Sequence, residues 1–202
     1  MQKNDLPHHK VYTPAVVDFV TVAAEMCLTL EEAAQYSRAD FTDKMLKLLP
    51  MLYLKAAMVT PPETVSDDAP EQFVTENDYL FVREQAEQIL GEADSYLEVF
   101  HPDMPLSDSP VAAFVSEDLA DIYQEIKDFA MNYQTLDTDV MNDALAECIN
   151  AFGSHWGQKT LNALRALHSF RYSENFADDE ETETLDNKKD NNFFTRFFSE
   201  TE

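Results

Sequence analysis

Four acidic side chains, Asp118, Asp121, Glu125 and Asp128, recur at three- and four-residue steps. On an α-helix this spacing gathers them in one arc of about 80°. Further along, the segment 155–168 offers two imidazoles and two cations: His155, Lys159, Arg165 and His168. Carboxylates and imidazoles projecting inward from antiparallel helices are how helical bundles hold metal ions. A metal-dependent hydrolase using the acids of one helix and the histidines of the other is therefore one reading. The spacing argues against it, because di-metal bundles use Glu-x-x-His twice. This chain has only Glu98-Val99-Phe100-His101, with Pro102 behind the histidine. His155 and His168 also fall more than about 120° apart on a helix, too far round to serve one ion. The competing reading is a polar groove or plain ion pairing: Asp118 or Asp121 pairs with Arg165 or Lys159, His168 is a satisfied interior histidine, and the other acids are solvated. Nucleophilic catalysis has less support. Ser154 and His155 are sequence neighbours whose side chains diverge on a helix, and no glycine-framed serine turn is present. Neither a metal nor a cofactor is expected.

Composition narrows the classes further. The chain has 202 residues, 14 basic against 39 acidic, a formal net charge of −25, and three glycines. Such a charge opposes binding to nucleic acid and to anionic membrane, so the expected partner is a protein. Three glycines disfavour turn-rich β folds and exclude glycine-rich phosphate loops. Cys27 and Cys148 each sit in an apolar helical pattern and have no CxxC neighbour, which reads as two buried free thiols in a reducing compartment. The opening MQKNDLPHHKVYTP has no apolar signal core, and Asp18 and Glu25 interrupt the best apolar run. A cytoplasmic location is expected.

The elements that must position these residues are helical. Residues 1–12 read as a flexible lead-in, 13–172 as one helical domain and 173–202 as a disordered acidic tail. Thr13 with Pro14 starts a first helix reaching about Gln35. Ser37 starts a second, in which Pro50 predicts a kink or break. PPETVSDDAPEQ reads as an exposed linker. Thr75 with Asp78 starts a third helix extending to Phe100. After the loop HPDMPLSDSP, Ser116 caps a strongly amphipathic fourth helix, with Ser109-Pro110 as an alternative start a turn or two earlier; its buried stripe is Leu119, Ile122, Tyr123, Ile126, Phe129, Ala130 and Tyr133. The short turn TLDT makes the fifth helix its antiparallel neighbour. That helix, Asp137 to Tyr172, carries Met141, Leu145, Cys148, Phe152, Trp156, Ala163, Ala166 and Phe170 on one side. Gly153, Gly157, Leu161, Leu164 and His168 mark a second side, so it reads as a single central helix, with the glycines marking another backbone crossing closely. The fold class is all-α: an irregular up-down bundle of about five main helices.

The segments SEDLADIYQEIK (116–127) and HWGQKTLNALRALH (155–168) resemble a family of bacterial helical proteins classed as a domain of unknown function, number five thousand and sixty-three. The resemblance runs over about residues 13–172, and DLADIY and ALRALH are its most specific strings. It implies a helical fold and a bacterial origin and brings no activity with it.

Outside that resemblance lies FFTRFF, which places Phe193, Phe194, Phe197 and Phe198 together behind an acidic stretch. It reads as a docking motif, with docking in cis onto this chain's own bundle and docking in trans onto a partner both open. The functional expectation is a non-enzymatic protein-interaction or regulatory domain, with the metal-dependent hydrolase as the alternative.

Overall fold

A computed structural model describes residues 9–98, 111–174 and 176. Five main helices form an irregular bundle: α1 (Pro14–Glu31), α2 (Arg38–Ala57), α3 (Glu76–Leu90), α4 (Val115–Tyr133), and a long final helix of two parts, α5 (Thr138–Ala151) and α6 (Gly157–Arg171). Among the described residues the only sheet is a two-stranded antiparallel ribbon, β1 (Ser95–Leu97) and β2 (Ala112–Phe114), with Tyr96 opposite Ala113.

The starts follow local chemistry. Pro14 occupies the first turn of α1, where its missing N–H costs nothing. Ser37 accepts from the Asp40 amide at the start of α2. Thr75 and Asp78 form a complete capping box on α3. Salt bridges Lys55–Asp18 (2.7 Å) and Lys44–Glu25 (3.0 Å) run in reversed order along α1 and α2, which makes the two antiparallel. α4 is buried along the stripe its pattern predicts, and Phe129 stacks on Phe19 with ring centres 5.2 Å apart. Trp156 is fully buried beside both Phe19 and Phe152, and its indole N–H donates to the Cys148 carbonyl at 2.9 Å.

Several expectations from the sequence are corrected. The third helix ends at Leu90, well short of Phe100: Gly91 takes φ +56°, a conformation side chains disfavour, and the chain leaves the helix to form β1. Ser116 does not cap α4. The helix begins at Val115, and Asp94 supplies the cap from outside, accepting from the Ser116 amide (2.7 Å) and hydroxyl (2.8 Å). Of the kink or break expected at Pro50, the break does not occur: α2 is continuous through it.

The long final helix is continuous but contains a five-residue π turn, Phe152–Trp156, that adds a residue and rotates everything after it. This explains the glycines differently from a crossing backbone. At Gly157 a Cβ would lie 2.4 Å from the Phe152 carbonyl oxygen, the acceptor of Gly157's own N–H, so the crowding comes from the π turn itself. Gly153 faces open space. Downstream, Thr160, Ala163 and Leu167 become the buried face of α6 while His168 is exposed, so it is not an interior histidine.

The acidic linker is exposed yet fastened along its length. The Asp143 carboxylate accepts from the Val65 and Ser66 amides (2.7 and 2.8 Å), and Asp128 accepts from Phe73 and Val74 (2.6 and 2.8 Å). The side-chain amides of Asn142 and Asn132 donate to the carbonyls of Glu63 and Glu71.

Candidate functional site

α4 and the π turn with α6 run antiparallel, since Glu125 meets His155 while Asp118, two turns earlier, meets Lys159. The face between them gathers five of the eight polar residues singled out from the sequence. Lys159 bridges Asp118 (3.1 Å) and Asp121 (3.2 Å). His155 lies 3.6 Å from Glu125 and 4.0 Å from Asp121, and its side chain is half exposed. Arg165 and His168 are not part of this cluster. Arg165 is exposed on α6, and the His168 ring packs on Tyr172 at 4.7 Å.

Two tyrosines complete the cluster. The Tyr96 hydroxyl on β1 donates to Asp118 (2.6 Å), and the Tyr79 hydroxyl on α3 donates to Asp121 (2.8 Å). Every oxygen of the two carboxylates thus has a partner: each takes one phenol and one edge of the same ammonium. The Asp118 side chain is only 2% exposed. Burial pushes its carboxyl up to about 6, against the downward pull of Tyr96 and Lys159. Burial opposes the charge on Lys159, but the two carboxylates more than offset this and hold its ammonium above the usual range. Burial, reinforced by the accepting carboxylates, pushes the Tyr79 and Tyr96 phenols up. Glu125 is also raised by burial, with His155 opposing.

What the arrangement can do chemically is limited by these pairings. Among the described residues no three His, Cys, Asp or Glu side chains are grouped so as to hold a metal ion. Cys27 and Cys148 are buried free thiols; burial pushes Cys27 up to about 12 and Cys148 well above its ordinary value, which keeps both in the inert thiol form. His101, Phe193, Phe194, Phe197 and Phe198 lie outside the described residues.

The family model described as a domain of unknown function, DUF5063, matches residues 10–173. The chain belongs to that family. It is also similar to the crystal structure of protein BF1032 from Bacteroides fragilis, at 44% identity and a TM-score of 0.73, a match covering 82% of this chain and 97% of the other. No curated protein matches it. Family membership carries no activity, so function has to be argued from the geometry. No helix among the described residues is long and apolar enough to cross a membrane.

Sequence reasoning missed the tyrosines' role, the linker fastening and one concavity. Tyr79 and Tyr96 carry no spacing signal relative to α4, because only the tertiary fold brings α3 and β1 to it. Asp128 belongs to the acidic arc by spacing, yet it serves the linker; Asn132, Asn142 and Asp143 carry no spacing signal, because the linker they hold is remote in sequence. Between β1 and α6 runs a groove of about 450 Å³ whose walls include Tyr96, Leu97, Arg165, Ala166 and Phe170. Its Tyr96 wall backs directly onto Asp118.

Proposed function

We propose that this chain is a non-enzymatic protein-interaction or regulatory domain, in which the acidic cluster on α4 fixes the helices in place and is not a reactive centre. What supports this reading is the complete pairing of Asp118 and Asp121 by Tyr96, Tyr79 and Lys159, all from other elements. A carboxylate that transfers protons to substrate or binds a metal needs an oxygen facing that ligand, and here each oxygen is engaged within the fold. The five groups link α3, β1, α4 and α6, so their chemistry serves geometry. The charge of −25 favours a protein partner over nucleic acid.

Elemental analysis of protein purified without chelator, paired with the stability of Asp121→Ala, tests the reading. The expected result is no stoichiometric metal and a clear loss of stability in the variant. About one zinc, iron or manganese per chain, lost in Asp121→Ala or His155→Ala without a change in melting temperature, would replace this proposal with the hydrolase. Native extract from the source cells passed over the immobilised full chain should also yield a stoichiometric protein partner; recovering none refutes the interaction reading.

A further inference from the structure

We infer that the groove between β1 and α6 is a docking site for this chain's own aromatic segment, residues 193–198, bound in cis. This goes beyond the proposal above and stands without it, since a self-occupied groove is compatible with any activity.

The first argument is shape and chemistry. The groove has about 450 Å³, within the range that holds a compact ligand, and its walls offer the apolar surfaces of Leu97, Ala166 and Phe170 beside the cationic Arg165. Leu97 is 61% exposed, a large apolar side chain left bare at the groove's edge. Arg165 has no ion pair among the described residues, unusual for a cation in a chain with 39 acids. A ligand combining aromatic rings with a carboxylate would satisfy both parts. The sequence FFTRFFSE, residues 193–200, has that composition.

The second argument is that α6 already receives an aromatic residue from beyond its own end. Phe176 is 2% exposed, packed edge-on against Phe170 at 5.3 Å and beneath the Arg171 guanidinium at 4.1 Å. Phe170 is at once the seat of Phe176 and a wall of the groove. The same pairing of ring on ring and ring under arginine is on offer again at Ala166, Phe170 and Arg165.

The third argument is reach. Ser173 is the last groove-lining residue among the described residues, so the segment that follows it leaves from the groove. Sixteen residues, 177–192, separate Phe176 from Phe193. A chain of that length spans roughly 20–25 Å between its ends, enough to leave the groove mouth and return. Intramolecular attachment at that length supplies an effective concentration on the order of millimolar, so weak contacts suffice. The bare apolar row of Pro50, Met51 and Leu54 on α2, with Met58 just past its end, is the competing surface, but it carries Lys47 as its cation and lies on a different element from the one the chain leaves.

Hydrogen exchange on the full chain decides the matter. In the wild type, amides of residues 193–198 should exchange at least about tenfold more slowly than in a synthetic peptide of residues 190–202, at every protein concentration tried. Ala166→Arg, which fills the groove, should return them to the peptide rate while amides of α4 stay protected. Arg165→Glu should weaken the protection several-fold, and it decides the question if Ala166→Arg perturbs the α4 core. Peptide-like exchange in the wild type overturns the inference. Protection that survives both groove variants, or that is lost in Leu54→Arg instead, overturns the assignment to this groove. Protection that appears only at high concentration places the segment on a second copy and overturns docking in cis.

Discussion

Replacing Lys159 with methionine should cost the fold about 2–3 kcal/mol at neutral pH, while replacing Arg165 with methionine should cost nothing measurable. Lys159 is the only cation within salt-bridge range of Asp118 among the described residues, and it holds Asp121 as well. Breaking a buried pair costs about 3–5 kcal/mol because a charge is stranded, whereas an exposed pair is worth about 0–1. Lys159 is one-third exposed, which places the expected loss below the buried limit. The pH dependence sharpens the test. The Asp118 carboxyl titrates near 6 in the fold against an ordinary 3.8, so the native state holds an extra proton between those values. Stability from this group is therefore full below pH 4 and falls as pH rises to 6, by about 3 kcal/mol at about 1.4 per pH unit. Removing the ammonium pushes the carboxyl higher still and extends that fall above pH 6. The deficit of Lys159→Met should accordingly be small at pH 5 and largest at pH 8. Trp156, the chain's single tryptophan and fully buried, is a built-in probe for urea unfolding. With a slope of about 2 kcal/mol per molar urea, the pH 8 midpoint should drop by about 1 M. A midpoint unchanged from wild type at pH 8, equal deficits at pH 5 and 8, or an equal loss in Arg165→Met would each refute the argument.

Asp118→Asn keeps an acceptor for Tyr96 and removes the buried charge. Relative to wild type its stability should therefore rise by about 2–3 kcal/mol between pH 4 and 7, and a flat difference across that range counts against the raised carboxyl. Gly157→Ala should destabilise by about 2 kcal/mol or more, since the new Cβ meets backbone at 2.4 Å, whereas Gly153→Ala should gain about 0.5–1 kcal/mol; similar effects at both would contradict the π-turn account. Asp143→Ala leaves the Val65 and Ser66 amides without their acceptor. Limited proteolysis within 63–74 should accelerate about tenfold with little change in global unfolding, and an unchanged cleavage rate would show that the fastening is dispensable.

The sequence by itself determined the fold class, the family and most helix starts, because these depend on short-range signals. A capping box needs only Thr75 and Asp78, and the buried face of α4 follows from the spacing of Leu119, Ile122, Ile126 and Phe129. The same locality made the shared arc of Asp118, Asp121 and Glu125 legible. Tertiary structure decided the partners. Lys159 and Arg165 were equivalent candidates in the sequence, and the one-residue insertion of the π turn set which of them faces α4, since each added residue turns the helix by about 100°. Tyr79, Tyr96 and Asp94 reach their partners from other elements, so no spacing within a helix could reveal them. The polar composition of the linker shows its exposure but not its fastening; it is held through its backbone, and main-chain amides and carbonyls carry no sequence signature.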